Sequence, residues 1–147
     1  MIYCDTSYLV RLYLEEPGST EVRELCAVHR ISSASHTQAE VPAAFHRAFR
    51  EGRLAPEVFA AALDQFAMDQ ANDGVTWLPL GPALLAGMAT RFARMPRTTF
   101  LRAADALHLA CAAENGFKEV YSNDRHFLEA APLFGLKGVN IIPVMGG

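Results

Sequence analysis

Short apolar runs rich in β-branched and aromatic residues alternate along this chain with longer segments whose apolar positions recur at helical spacing. The first run, residues 1–4, gives way to Asp5-Thr6-Ser7, whose side-chain oxygens suit the start of a helix. Tyr8, Leu9, Leu12 and Tyr13 then carry a helical stripe that Glu16-Pro17-Gly18 stops, and a second helix is expected over 19–28. Residues 31–34 read as a second strand. The helix expected over 36–51 places Val41, Ala44, Phe45, Ala48 and Phe49 at helical spacing. Pro42 belongs in its first turn or just beyond, where a missing amide costs little, and Gly52 is its stop.

An amphipathic helix is expected over 56–70, built on Val58, Phe59, Ala62, Leu63 and Phe66. Asn72-Asp73-Gly74 turns the chain toward a third strand over 75–80, and a helix over 82–94 ends before Pro96. Residues 101–115 are apolar on nearly every side, broken only by Arg102, Asp105 and His108 before Glu114, which marks a helix buried over most of its surface. A fourth strand over 119–122, a helix over 124–131 and a fifth strand over 139–144 complete the alternation. Strands interleaved with helices imply an α/β chain with a parallel sheet covered on both faces, and in such sheets ligands bind beyond the carboxyl ends of the strands.

Composition supports one unit. With 147 residues, 51% of them hydrophobic and 20% charged, and with glycines and prolines scattered singly, a single domain over 1–147 is expected. MIYCDTSYLV has no basic residue ahead of its apolar positions and an aspartate interrupts them, so neither a signal peptide nor a membrane span fits; the expected location is the cytoplasm. Cys4, Cys26 and Cys111 lie far apart in apolar surroundings and are expected as reduced core thiols. The net charge of -3 argues against a broadly basic nucleic-acid surface but leaves room for a local patch, for which Arg91, Arg94, Arg97 and Arg102 are candidates.

Four acids stand at or near points where an apolar stretch gives way to a helix: Asp5, Glu40, Asp105 and Asp124. Asp5 after the first strand and Asp124 in YSNDRHF after the fourth each occupy the position of a helix N-cap, and each also projects at the carboxyl edge of a parallel sheet. They become neighbours if those two strands are adjacent. Asp105 interrupts LRAADALHLACAA, where an unpaired charge is costly. It therefore either pairs with Arg102 or His108, three residues away on either side, or meets a metal or a metal-bound water. Glu40 belongs with His36, Arg47 and Glu51 to an ordinary solvated stripe, yet it falls early enough after the second strand to reach the same edge.

Hard oxygen ligands select Mg2+ or Mn2+ over zinc, and such a site suits phosphodiester hydrolysis. Thr6, Ser7 and Asn123 stand beside the aspartates as accessory polar groups for metal waters or phosphate, or equally as caps and turn formers. The histidines, His29, His36, His46, His108 and His126, show no HxH or HExxH spacing, so no histidine metal site is expected. His108 is read as orienting Asp105 or packing within its helix. Walker A and GxGxxG patterns are absent, Cys4 ends a buried strand, and Ser7 lacks the GxSxG elbow.

MIYCDTSYLVRLYLEEPGS, QAEVPAAF, AADALHLACA and YSNDRHF together resemble, in order and rough spacing, the successive motifs of PIN-domain ribonucleases, above all the VapC toxins of prokaryotic toxin-antitoxin modules. A DTS after the first strand is common; the ordered set, which runs over almost the whole chain, is specific. The resemblance implies a three-layer α/β/α sandwich with a five-stranded parallel sheet and an acidic metal-binding quartet at Asp5, Glu40, Asp105 and Asp124. It further implies Mg2+- or Mn2+-dependent cleavage of an RNA substrate, homodimerisation, and a VapB-type antitoxin that blocks the site. Ser7 and Asn123 fall where the family often has accessory polar groups, and Glu40 is expected to bind metal or help activate water. Two alternatives keep the fold: an RNA-processing nuclease without an antitoxin, and a non-catalytic module that binds RNA or protein. A haloacid-dehalogenase-like phosphatase needs a second aspartate where this chain has Ser7, and a receiver domain needs a late lysine for which Lys118 and Lys137 are poorly placed.

Overall fold

A computed structural model of the chain describes residues 1–143. Its elements run β1 (Ile2–Tyr3), α1 (Thr6–Val10), α2 (Ser19–Ala27), β2 (Ile31–Ala34), α3 (Thr37–Arg50), α4 (Pro56–Ala71), β3 (Thr76–Leu78), α5 (Pro82–Ala93), α6 (Ala103–Glu114), β4 (Glu119–Tyr121), α7 (Arg125–Ala130) and β5 (Lys137–Val139). A 3-10 turn, Ala131–Phe134, precedes β5. The helices and the first four strands stand close to where the hydrophobic pattern puts them. Pro42 lies inside α3, just beyond its first turn.

The fifth strand is a correction. It spans Lys137–Val139, so the expected range of 139–144 begins where the strand ends, and Val144 lies outside the described residues. The apolar run at Ile141 and Ile142 has another cause: Ile142 is buried in the core built around α1 to α4, against Gly18.

All strand pairs are parallel: β1 with β2, β2 with β3, and β4 with β5. The continuous five-stranded sheet expected from the resemblance is instead a three-stranded and a two-stranded segment. An isolated parallel bridge between Cys4 and Tyr121 joins them, giving the order β3-β2-β1-β4-β5 across the bridge. The break follows from the brevity of β1, because Asp5 turns the chain into α1 directly after Cys4. Backbone bonds still hold that end from both sides: the Cys4 amide donates to Ser32 and the Asp5 amide to Tyr121, each at 3.0 Å.

Successive strand residues point to opposite faces, and β1 feeds two cores accordingly. Tyr3 packs with Leu84, Leu109, Val120, Phe127 and Leu136, beneath α5, α6 and α7. Cys4 packs with Leu9, Val22, Val41, Phe45 and Phe66, beneath α1 to α4. Helices thus cover both faces. The α6 helix buries Ala106, His108, Leu109, Ala110, Cys111 and Ala112, as its nearly continuous apolar sequence predicts. Cys4, Cys26 and Cys111 are free thiols. Among the described residues no helix is long and apolar enough to cross a membrane.

Gly18 starts α2 at a φ of 88°, and a Cβ there would collide with the Ile142 side chain. Left-handed backbone and overpacking both penalise a side chain at this position. Gly18→Ala is therefore expected to lower stability by about 2 kcal/mol or more, measured by urea unfolding; an unchanged midpoint would contradict the packing of Ile142 on this turn.

Candidate active site

Two helix caps meet where β1 and β4 end. Asp5 accepts from the Tyr8 amide at 3.3 Å and caps α1, while Asp124 accepts from the Phe127 amide at 3.0 Å and caps α7. The cap reading and the sheet-edge reading of these aspartates are both correct, since a helix that starts at the end of a strand puts its cap at that edge. Ser122, fully buried at the end of β4, ties the two together. Its hydroxyl donates to Asp5 Oδ2 at 2.5 Å and accepts from the Asp124 amide at 3.0 Å. Ser7 donates to Asp5 Oδ1 at 2.6 Å and accepts from the Asn123 amide at 3.0 Å. Asp5 is only 4% exposed. Burial pushes its carboxyl up, while His108 and the hydrogen bonds from Ser122, Ser7 and the Tyr8 amide pull the other way.

Glu40 has left the solvated stripe. Its Oε1 accepts from Thr6 Oγ1 at 2.7 Å and lies 2.7 Å from His108 Nε2. An ionised carboxylate only accepts, so Nε2 of His108 is the donor, and its Nδ1 lies 2.7 Å from the Tyr3 hydroxyl. The Tyr3 oxygen in turn accepts from the Ala34 amide at 3.1 Å. Burial holds the Tyr3 phenol well above its usual range, so it stays protonated. Burial also raises the Glu40 carboxyl, but the hydrogen bond and charge of His108, followed by Thr6 and His36, outweigh it and leave the group below its usual value. His108, 1% exposed, therefore orients Glu40 and not Asp105. The outer members of the stripe, Arg47 and Glu51, are exposed and pair with each other at 2.8 Å.

Asp105 stands in the first turn of α6, half-buried, and among the described residues neither Arg102 nor His108 bonds to it. Burial, then the charges of Asp124 and Asp5 and more weakly of Glu40, raise its carboxyl from the usual 3.8 to about 6, with His108 opposing. Asp105 is thus close enough to the other three acids to feel their charges. Thr6, Ser7, Glu40, Asp105 and Asp124 line a cleft of about 440 Å³, with Arg11, Arg47, Arg53 and Arg102 in its walls. Of the arginines first considered, only Arg102 reaches it. Arg91 and Arg94, at the end of α5, border a separate pocket with Leu133 and Phe134, and Arg97 borders neither.

One grouping lies outside what the sequence reading reached. His36, Glu40 and His108 each place a potential ligand atom within 4.8 Å of the others, although no local histidine motif announces it. His36 and Glu40 are one helical turn apart and His108 arrives from α6. Ser122 also lies outside the sequence-predicted site, because there it is only the last residue of the fourth strand.

A family model described as PIN domain matches residues 2–132. Among solved structures, the chain is similar to VapC20 of Mycobacterium tuberculosis, a sarcin-ricin loop cleaving toxin, with 19% identity over 88% of this chain and 95% of that one and a TM-score of 0.68. VapBC2 from Rickettsia felis, bound to a DNA fragment from its promoter, aligns at 14% identity over 95% of this chain and 98% of that one, with a TM-score of 0.64. FitAB bound to the IR36 DNA fragment aligns at 15% identity over 99% of both chains, with a TM-score of 0.68. No curated protein matches the sequence significantly.

The Asp105 environment sets a pH dependence whose sign is fixed. Its folded carboxyl binds a proton more tightly than the unfolded one, so stability falls as pH rises from 3.8 to about 6 and stays lowered above that. Asp105→Asn removes this contribution. Without divalent cations the variant is expected to melt higher than the parent at pH 7 and to converge with it near pH 4. A variant that melts lower at pH 7 would mean that the carboxylate is stabilised by a partner.

Proposed function

The chain belongs to the PIN domain family, and from that premise we propose that it is a divalent-metal-dependent endoribonuclease, the toxin of a VapBC-type module. One observation carries the reading: Asp105 is a half-buried carboxylate without a hydrogen-bond or ion-pair partner among the described residues, raised to about 6 in the company of Asp124, Asp5 and Glu40. A divalent cation would relieve that repulsion, and an all-oxygen donor set suits Mg2+ or Mn2+. Asp5, Asp105, Asp124 and Glu40 are the residues that would hold it. When bound, such an ion supplies a water of lowered pKa and neutralises charge on the scissile phosphate and leaving oxygen.

The remaining work falls to the chain itself. Ser122 and Ser7 hold Asp5 by both oxygens, and Ser122 also fixes the Asp124 backbone. Thr6 and His108 keep Glu40 ionised and oriented toward the cleft. Ser7 is engaged on both sides, as donor and as acceptor, so its role is to position Asp5 and the Asn123 loop. Asn123 is exposed beside the site, bonded to Asn140 at 3.0 Å, and remains the accessory group nearest to solvent. Arg102, Arg47 and Arg53 in the cleft wall offer phosphate contacts for an RNA strand despite the net negative charge.

The toxin assignment is supported by solved neighbours that include a toxin and two VapBC-type or FitAB assemblies, aligned over nearly all of their length. A VapB-type antitoxin that covers the cleft, and a homodimer as the working form, complete the proposal. The place of action is the cytoplasm.

Incubating the protein with transfer and ribosomal RNA in Mg2+ or Mn2+ tests the chemistry. Cleavage is expected to vanish in chelator, and Asp105→Asn or Asp124→Asn is expected to slow it about a hundredfold or more, the loss of several kcal/mol of charge stabilisation. Equal cleavage by parent and variants, or cleavage in chelator, would sink the metal mechanism. RNA binding without cleavage in either ion would favour a non-catalytic module. Growth arrest on expression, relieved by a small neighbouring gene, would separate a toxin from a housekeeping nuclease.

A further inference from the structure

We propose that His36, Glu40 and His108 form a second cation site, for a borderline transition ion such as Zn2+ or Co2+, which shares Glu40 with the acidic centre. His36 precedes α3 and Glu40 follows one turn later, so both project from the same helical face. His108 comes from α6, on the far side of the sequence. Glu40 Oε1 lies 2.7 Å from His108 Nε2 and 3.4 Å from His36 Nε2, and the two imidazole rings are 4.3 Å apart. A tetrahedral ion with bonds of about 2.0 to 2.2 Å sets its ligand atoms a little over 3 Å apart, and the 2.7 and 3.4 Å contacts of Glu40 Oε1 lie on either side of that spacing.

The donor types also fit. Two imidazoles and one carboxylate are a known zinc set that leaves a fourth position open for water, whereas Mg2+ prefers oxygen alone. Metal-bound imidazoles need a partner for their other nitrogen. His108 has one, since its Nδ1 faces the Tyr3 hydroxyl at 2.7 Å. His36 donates from Nε2 to the Ala104 carbonyl at 3.0 Å, which only accepts, and its Nδ1 is buried with no partner among the described residues. Moving the ring proton to Nδ1 frees the Nε2 lone pair, 3.4 Å from Glu40 Oε1, for a cation in place of the Ala104 bond. Of the two imidazoles His36 is the more exposed, at 18% of its side chain against 1% for His108.

Because Glu40 belongs to both sets, an ion held here withdraws it from the acidic centre. That inhibitory consequence rests on the nuclease reading; the binding does not. Cobalt serves as the probe, since nitrogen-bound Co2+ absorbs visible light and Zn2+ displaces it silently. The parent and Asp105→Asn are both expected to bind a single equivalent of Co2+ that zinc removes. His36→Ala, with His36→Gln as the variant that keeps a donor toward Ala104, is expected to weaken binding about tenfold or more, because even changes beyond the ligands cost that much. Both His36 variants should retain Mg2+-supported RNA cleavage and lose its inhibition by zinc. Unaltered cobalt binding in the His36 variants, absence of a signal in the parent, or loss of the signal in Asp105→Asn would overturn the site. If no form cleaves RNA, the nuclease proposal fails while the cobalt titration still decides this one.

Discussion

The end of β1 is the constraint on which the rest of the molecule depends. Its last residues are held from both sides, by Ser32 of β2 and by Tyr121 of β4, so the two sheet segments meet at this point and nowhere else among the described strand pairings. Asp5 follows immediately, and a carboxylate that is 4% exposed is tolerable only because Ser122, Ser7 and the Tyr8 amide all donate to it. Successive strands are added in opposite directions from β1 and β4, which makes this junction the topological switch point of the sheet. Open parallel sheets bind their ligands there. The position of the cleft is thus a consequence of topology, and Asp5, buried beside it and outside its lining, fastens the two segments.

A second set of buried polar bonds fixes the opposite wall. The Ala34 amide, Tyr3, His108 and Glu40 are linked in series across β2, β1, α6 and α3. Every member of this series is satisfied, which suits a low-dielectric interior where partial satisfaction is expensive. Asp105 is the contrast: it receives no such bond and bears the repulsion of the other acids. Strain of this kind is found where function requires it and is offset elsewhere in the fold. Here the offset is visible in the two cores that Tyr3 and Cys4 anchor on opposite faces.

The period of the apolar positions was enough to place every helix and four strands, because each of those elements buries one continuous face. It failed at β5, where Ile142 is apolar in order to fill the space beside Gly18 and not to pair with a strand. Asp5 and Asp124 were legible because caps are local: donor and acceptor lie three residues apart. Ser122 and His108 were not, since their partners Asp5 and Glu40 are 117 and 68 residues away. No spacing rule reaches that far. The same limit hid the grouping of His36 with His108 and misdirected the search for basic residues toward the end of α5, when the cleft draws on Arg11, Arg47 and Arg53 from the other side of the fold.

Counting what each carboxylate has left over ranks the four acids by the work they can do toward an ion. Both oxygens of Asp5 are engaged, Oδ1 by Ser7 and the Tyr8 amide and Oδ2 by Ser122. Asp124 commits Oδ1 to its cap, and Glu40 commits Oε1 to Thr6 and His108. Among the described residues the second oxygen of each is uncommitted, and Asp105 has both of its own to offer. A carboxylate oxygen carries two lone pairs, so an engaged oxygen can still contribute, but its direction is then set by the protein. The acidic centre therefore has a rigid member, two half-anchored members and one free member. Charge gathered on an ion at this place would be met by Asp105 first, and the geometry of the encounter would be dictated by Asp5.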